Sequence, residues 1–125
     1  MKLDEMSPRQ LENMKRLFAT PFADIYPLYV AKVQKKNRSE AELRTVLSWL
    51  TDLDGPQLDK AISSGETLQE LFARIRVHPN AVLITGSVCG VKVQDVEDPL
   101  MRNIRYMDKL VDELAQGKAI ENILR

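Results

Sequence analysis

The sequence predicts an all-α fold, a compact single-domain bundle of about six short helices. Apolar side chains recur at steps of three and four residues through most of the chain, which gives each helix one apolar stripe. Proline, glycine and helix-capping residues cut this pattern into short segments. The 125 residues, 44% of them apolar and 29% charged, suit one globular domain. We therefore expect residues 1–125 to form a single helical domain, with residues 1–16 as a loosely held N-terminal helix.

Prolines mark the first two helices. Ser7 is a good N-cap, and the proline after it suits the first helical position, so a helix is expected over 8–18. Proline restricts the residue before it to extended backbone. We therefore expect the second helix to begin at Pro27 and to cover 27–36.

Two capping boxes open helices in the middle of the chain. Ser39 with Glu42, and Thr67 with Glu70, have the spacing at which each side chain caps the other residue's backbone N–H. A short helix opened by Pro56 lies between them. The inward-facing side chains are predicted to be Leu43, Val46, Leu47, Leu50, Leu58, Ala61, Ile62, Leu68, Leu71, Phe72 and Ile75.

Residues 81–93 allow two interpretations. The favoured one is a helix over 80–89 followed by a helix-turn-helix-like turn at 90–92. The alternative is a small β-hairpin within 82–93, because this segment is rich in β-branched side chains and Gly86 and Gly90 suit turns. Short apolar runs fit a strand and a helix equally well, so periodicity does not decide between them.

The clearest amphipathic pattern follows this segment. Asp98 and Pro99 predict the start of a long helix that reaches about Ala115, and Gly117 predicts its end. A short helix is expected over 119–124. The apolar stripe of the long helix, which also resembles a coiled-coil seam, is Leu100, Ile104, Met107, Val111 and Leu114.

Composition excludes several classes of function. The 18 basic and 18 acidic side chains balance, which argues against a protein that grips nucleic acid or an anionic membrane. The longest strongly apolar run, at 81–84, is far short of the roughly 20 residues of a membrane span. One cysteine and one histidine argue against disulfides and zinc, and no cofactor is predicted. Acidic residues near the start argue against a signal peptide, so we expect a cytoplasmic protein.

The sequence offers a candidate binding surface and no catalytic or metal residues. Tyrosine and arginine side chains near a cysteine can form a pocket, although such side chains more often pack at the edge of a core or cover a helix face. Cys89 itself is expected to be a small buried apolar side chain. The candidate residues are Tyr26, Tyr29, Cys89, Arg102, Arg105 and Tyr106.

We expect a binding or interaction protein without catalysis, acting through contacts with a protein partner or with a second copy of itself. One alternative is a small-molecule or enzymatic pocket near Tyr26, Tyr29, Cys89 and Tyr106. Another is a helix-turn-helix nucleic-acid-binding protein, but the three carboxylates at 95–98 would then face phosphates. The charges also disagree with this alternative, because the first 50 residues carry net +3 and the remainder, which holds the turn, net −3.

Seven stretches carry a resemblance to a known family. They are FADIYPLYV at 22–30, WLT at 49–51, LITG at 83–86, CGVKV at 89–93, EDPLM at 97–101, IRYMDKLVDEL at 104–114 and GKA at 117–119. Together they resemble the uncharacterised bacterial family called domain of unknown function 2200, over most of the chain from about Phe18. The resemblance implies a small bacterial cytoplasmic protein. It implies no activity and no catalytic residues.

Overall fold

Seven α-helices and one β-hairpin account for the regular structure of residues 5–125, the part of the chain that this computed structural model describes. The predicted all-α fold is confirmed, and the hairpin that the sequence allowed as an alternative within 82–93 is formed. The helices are α1 (Pro8–Phe18), α2 (Phe22–Gln34), α3 (Glu40–Thr51), α4 (Gly55–Ser63), α5 (Leu68–Arg74), α6 (Pro99–Ala115) and α7 (Ile120–Ile123). The antiparallel strands are β1 (Ser87–Val88) and β2 (Val91–Lys92), and 3-10 turns cover Pro79–Leu83 and Val93–Asp95.

Both predicted capping boxes are formed. The Ser39 hydroxyl accepts a hydrogen bond from the Glu42 backbone N–H at 3.1 Å, and the Glu42 carboxylate accepts one from the Ser39 N–H at 3.0 Å. Thr67 and Glu70 repeat this arrangement at the start of α5. These reciprocal bonds satisfy backbone donors that have no partner within the helix, so residues close in sequence determine where α3 and α5 begin.

Helix α6 forms the centre of the core. It packs against α2, α3, α5, α7 and strand β1. Its buried side chains include four members of the predicted stripe, namely Ile104, Met107, Val111 and Leu114. Because the stripe is buried within the chain, it offers no exposed seam for a coiled coil. Self-association through another surface stays a prediction.

The expected start of α2 at Pro27 is wrong, because the helix begins at Phe22 and Pro27 lies inside it. A proline inside a helix costs about 3 kcal/mol or more. The extra turn buries the rings of Phe22 and Tyr26, and each buried aromatic side chain contributes roughly 1.5–3 kcal/mol. The Phe22 N–H also donates to the carbonyl of Glu66 at 2.8 Å. Tertiary packing therefore offsets the local preference.

The favoured helix over 80–89 is wrong, and the hairpin is what forms. Cys89 and Gly90 connect β1 to β2, and both have a positive φ, 51° and 76°. Two successive positive values are typical of the tight turn that matches the twist of a hairpin, and a right-handed helix does not pass through them. The segment that leads to α6 is thus a hairpin followed by a 3-10 turn, not a helix-turn-helix unit.

Candidate functional site

A cleft of about 270 Å³ separates α1 from the hairpin and the first half of α6. One wall consists of Met6, Gln10, Asn13, Met14 and Leu17, and the other of Val91, Val96, Asp98, Met101 and Arg105.

The spacing of side chains on α1 explains why the cleft stays open. Gln10, Met14 and Leu17 follow each other at steps of three and four, so they share one side of α1, and Met6 precedes the Ser7 N-cap. That side faces the cleft. No residue of α1 is fully buried, and its core contacts come from its C-terminal end, where Leu17 and Phe18 pack against buried side chains. The N-terminal part of α1 therefore covers the cleft without filling it.

A chain of hydrogen bonds lies behind the α6 wall and joins α6 to α2. The Tyr29 hydroxyl donates to Asp108 Oδ1 at 2.5 Å, and Arg105 Nη1 donates to Asp108 Oδ2 at 3.1 Å. Burial raises the pKa of Tyr29 well above 10.0, and the neighbouring Asp108 carboxylate raises it further. The phenol therefore stays protonated and holds one oxygen of Asp108, which leaves the other for Arg105.

One edge of the Arg105 guanidinium donates no hydrogen bond within residues 5–125. A guanidinium carries five N–H groups. The hydrogen bonds that Arg105 makes within residues 5–125 leave from Nη1 alone, so Nε and Nη2 have no protein acceptor there. No buried side-chain nitrogen or oxygen of the described chain lacks a partner, so neither of these two nitrogens is fully enclosed without one. The side chain is 22% exposed and borders the cleft.

Asp98 is the carboxylate of the cleft, and it has a structural role. Its Oδ2 accepts a hydrogen bond from the Met101 backbone N–H at 2.8 Å, which caps α6. The cap also places a negative charge at the positive end of the helix dipole. The start of α6 predicted at Asp98 is confirmed, and this aspartate is held by the helix that it caps.

The six candidate residues from the sequence do not converge on one pocket. Arg105 borders the cleft, and Tyr29 lies behind it through Asp108. Tyr26 belongs to a different contact, donating to Glu40 at 2.6 Å. Burial is the main cause that raises the pKa of Tyr26, and the hydrogen bond to Glu40 adds to it.

The remaining candidates are separate from the cleft walls. Tyr106 is buried in the core and Arg102 is half-buried on α6. The expectation that Cys89 is buried is wrong, because the thiol-bearing residue occupies the exposed turn of the hairpin. A two-residue turn at the end of a hairpin has no neighbouring chain to cover it. Cys89 is nevertheless near enough to Tyr29 for its charge to raise the pKa of that tyrosine.

Sequence reasoning missed most of the cleft. Three of the five methionines in the chain line it, Met6, Met14 and Met101, whereas Met107 is fully buried in the core. The amphipathic spacing of α1 was the available signal, but a helix face alone does not show what lies opposite. Within residues 5–125 no group of three or more His, Cys, Asp or Glu side chains is placed to hold a metal ion. No helix of the described chain is long and apolar enough to cross a membrane.

A protein-family model matches most of the chain. The model of the family described as "Uncharacterized protein conserved in bacteria (DUF2200)" matches residues 16–125. The chain belongs to this family. The resemblance found in the sequence is thus confirmed. The DUF2200 match contains the α6 wall of the cleft, whereas most of the α1 wall precedes it.

A solved structure shares the fold of this DUF2200 protein. The crystal structure of uncharacterized protein SP1917 is 33% identical in sequence, with a TM-score of 0.83. The similarity covers 96% of this chain and 93% of that one. No curated protein matches the chain. The comparisons agree with the helical fold and bring no assigned activity.

Proposed function

We propose that this DUF2200 protein is a binding protein without catalytic activity, and that the cleft beneath α1 holds a small, largely apolar ligand. The observation that carries the proposal is the side of α1 that holds Gln10, Met14 and Leu17, because this side lines a cleft and no residue of α1 is fully buried. Small-molecule sites are concave, mostly apolar and furnished with a few polar groups, and they occupy about 300–1,000 Å³. At about 270 Å³ the cleft is slightly smaller than that range, so it suits a small ligand.

The polar groups of the cleft support binding over catalysis. They are Gln10, Asn13, Asp98 and Arg105. Covalent catalysis needs a nucleophile within hydrogen-bond reach of a base. Among the described residues that line the cleft there is no serine, threonine, cysteine or lysine, and Asp98 is engaged as a helix cap. Amides and a guanidinium orient a ligand by hydrogen bonding.

Action through protein contacts has weaker support and stays a prediction. The exposed large apolar side chains of the described chain are Leu28, Val82 and Leu83, at 65%, 71% and 56% exposed. Scattered residues of this kind are normal on soluble surfaces. We also propose that the protein acts in the bacterial cytoplasm, because a single cysteine is usual where disulfides are rare.

The methionines provide a direct test. We would label the protein with ¹³C at the methionine methyl groups and titrate 1-hexanol, a small uncharged probe, while recording methyl NMR spectra. We expect the Met6, Met14 and Met101 signals to shift along one saturable curve. The Met107 signal should stay in place, because that side chain lies in the core away from the cleft walls.

Two tryptophan variants control for surface binding. Met14→Trp places a large ring in the cleft and should abolish the shifts of Met6 and Met101. Leu28→Trp adds the same ring at an exposed position on α2 and should leave them unchanged. If no methionine signal moves, or if the Met107 signal moves equally, the cleft is not the binding site.

A further inference from the structure

We propose that the ligand carries a carboxylate beside its apolar body, and that Arg105 binds this carboxylate with the Nε–Nη2 edge of its guanidinium. The inference rests on the proposed function and specifies the ligand class for that cleft. It would make the protein a receptor for small monocarboxylic acids with an aliphatic or similarly apolar body.

The geometry of Arg105 is the first support. Asp108 occupies Nη1, and Tyr29 holds the other oxygen of Asp108, so this network fixes the guanidinium from behind. Nε and Nη2 remain without a protein acceptor in the described chain, and the side chain borders the cleft. These two nitrogens present parallel N–H groups that match the two oxygens of a carboxylate. An arginine fixed in this way needs little reorganisation to bind.

The partial burial of Arg105 is the second support. The Arg105 side chain as a whole is 22% exposed, so it is partly shielded from water. Hydrogen bonds between charged groups are stronger in such surroundings than in bulk water. Within residues 5–125 the guanidinium donates only to Asp108, so its other N–H groups have no protein acceptor there. A ligand carboxylate would supply the missing acceptors.

The position of Asp98 explains why an anion is compatible with the cleft. Asp98 and Arg105 lie seven residues apart on α6, which corresponds to about 10 Å along the helix axis at 1.5 Å per residue. Asp98 is also compensated by the Met101 N–H and by the helix dipole. A carboxylate on Arg105 would therefore lie about two helical turns from Asp98, the acidic side chain among the described lining residues.

The methionine side chains of the two walls fit an apolar body of variable shape. Met6, Met14 and Met101 have flexible, polarisable side chains that adapt to irregular ligands. A volume of about 270 Å³ corresponds to roughly nine waters at about 30 Å³ each. A six-carbon acid such as hexanoate is of suitable size.

The test compares three probes that share one alkyl chain: hexanoate, 1-hexanol and hexylamine, titrated at pH 7 against the ¹³C-methionine protein. We expect hexanoate to bind about tenfold more tightly than 1-hexanol, which corresponds to about 1.4 kcal/mol. Hexylamine should bind more weakly than 1-hexanol, because its ammonium group would approach the guanidinium.

Variants of α6 assign the preference to one side chain. Arg105→Gln should lose the tenfold preference for hexanoate and still bind 1-hexanol, which also shows that its cleft is intact. Arg105→Lys should retain part of the preference, since it keeps the charge and loses the paired donors. Arg102→Gln is the matched control on the same helix, lies outside the cleft walls and should behave like the unmodified protein.

The outcomes separate the two proposals. Equal binding of hexanoate and 1-hexanol, tightest binding of hexylamine, or an unchanged preference in Arg105→Gln would overturn the carboxylate assignment while the cleft remains a binding site. The three probes are compared on the unmodified protein, so they can refute the carboxylate assignment even if a variant folds poorly. If none of the three probes shifts the methionine signals, the proposed function itself fails.

Discussion

Replacing Tyr29 by phenylalanine tests how much the bond between α2 and α6 stabilises the fold. The substitution removes the hydroxyl that donates to Asp108 at 2.5 Å and keeps the buried ring. A hydrogen bond to a charged group contributes about 1.5–3 kcal/mol. We expect the free energy of unfolding at pH 7 to fall by that amount, without the additional cost of a cavity.

The pH dependence of this loss follows from the raised pKa of Tyr29. In the unfolded chain the phenol ionises near pH 10.0, whereas in the folded protein burial and Asp108 keep it protonated to higher pH. Below pH 10 the stabilising contribution is complete. Above it the unfolded state releases a proton that the folded state retains, so stability falls by about 1.4 kcal/mol per pH unit. The phenylalanine variant lacks this ionisation.

Urea unfolding at pH 7 and at pH 10–11 measures both effects. The stability difference between the two proteins should be largest at pH 7 and shrink as the pH rises above 10. Tyr26 and the other titrating groups are common to both proteins and largely cancel. Tyr106→Phe, on α6, is the control at pH 7 and should change stability by less than about 0.5 kcal/mol. A difference for Tyr29→Phe that is equally small, or that does not change with pH, would refute the reasoning.

Three further substitutions test other local features, each by urea unfolding at pH 7. Pro27→Ala should raise the free energy of unfolding by about 1–2 kcal/mol, because it restores a helix N–H at an exposed position of α2. A loss of stability would contradict this prediction. Cys89→Asn should raise the free energy of unfolding by about 0.5–1 kcal/mol, because asparagine tolerates the positive φ of the turn better than cysteine does. An unchanged free energy of unfolding would show that the positive φ of Cys89 costs no stability. Arg125→Ala should lower the free energy of unfolding by about 1–3 kcal/mol. The Glu113 side chain is 7% exposed, and among the described residues it then keeps only Lys118 as a charged partner. An unchanged free energy of unfolding would show that the pair of Arg125 and Glu113 contributes nothing.

Helix starts were the most predictable part of this fold. The capping residues of α1, α3, α5 and α6 were identified from the sequence, and all four form cap hydrogen bonds. The apolar spacing also identified the buried stripe of α6. These features depend on residues within about four positions of one another, so the sequence contains all their partners.

The hairpin, the start of α2 and the cleft were not predictable in the same way. The apolar run at 81–93 suits a helix or a strand, and its contact with α6 selects the strand pair. The Lys109 ammonium group of α6 donates to the Ser87 carbonyl of β1 at 3.0 Å, a contact across 22 positions. The cleft depends on how α1 lies opposite α6. No local pattern contains that information.

The candidate site also combines features set by local sequence with features set by tertiary contacts. The sequence by itself determined the helical class, the caps and the apolar stripes, because these arise from neighbours within one or two helical turns. Only the tertiary structure decided that Pro27 lies inside a helix, that Cys89 is exposed, and that Arg105 faces a cleft lined by methionines. The bond between Tyr29 and Asp108 spans 79 positions along the chain, and such contacts exist only after packing has brought distant segments together.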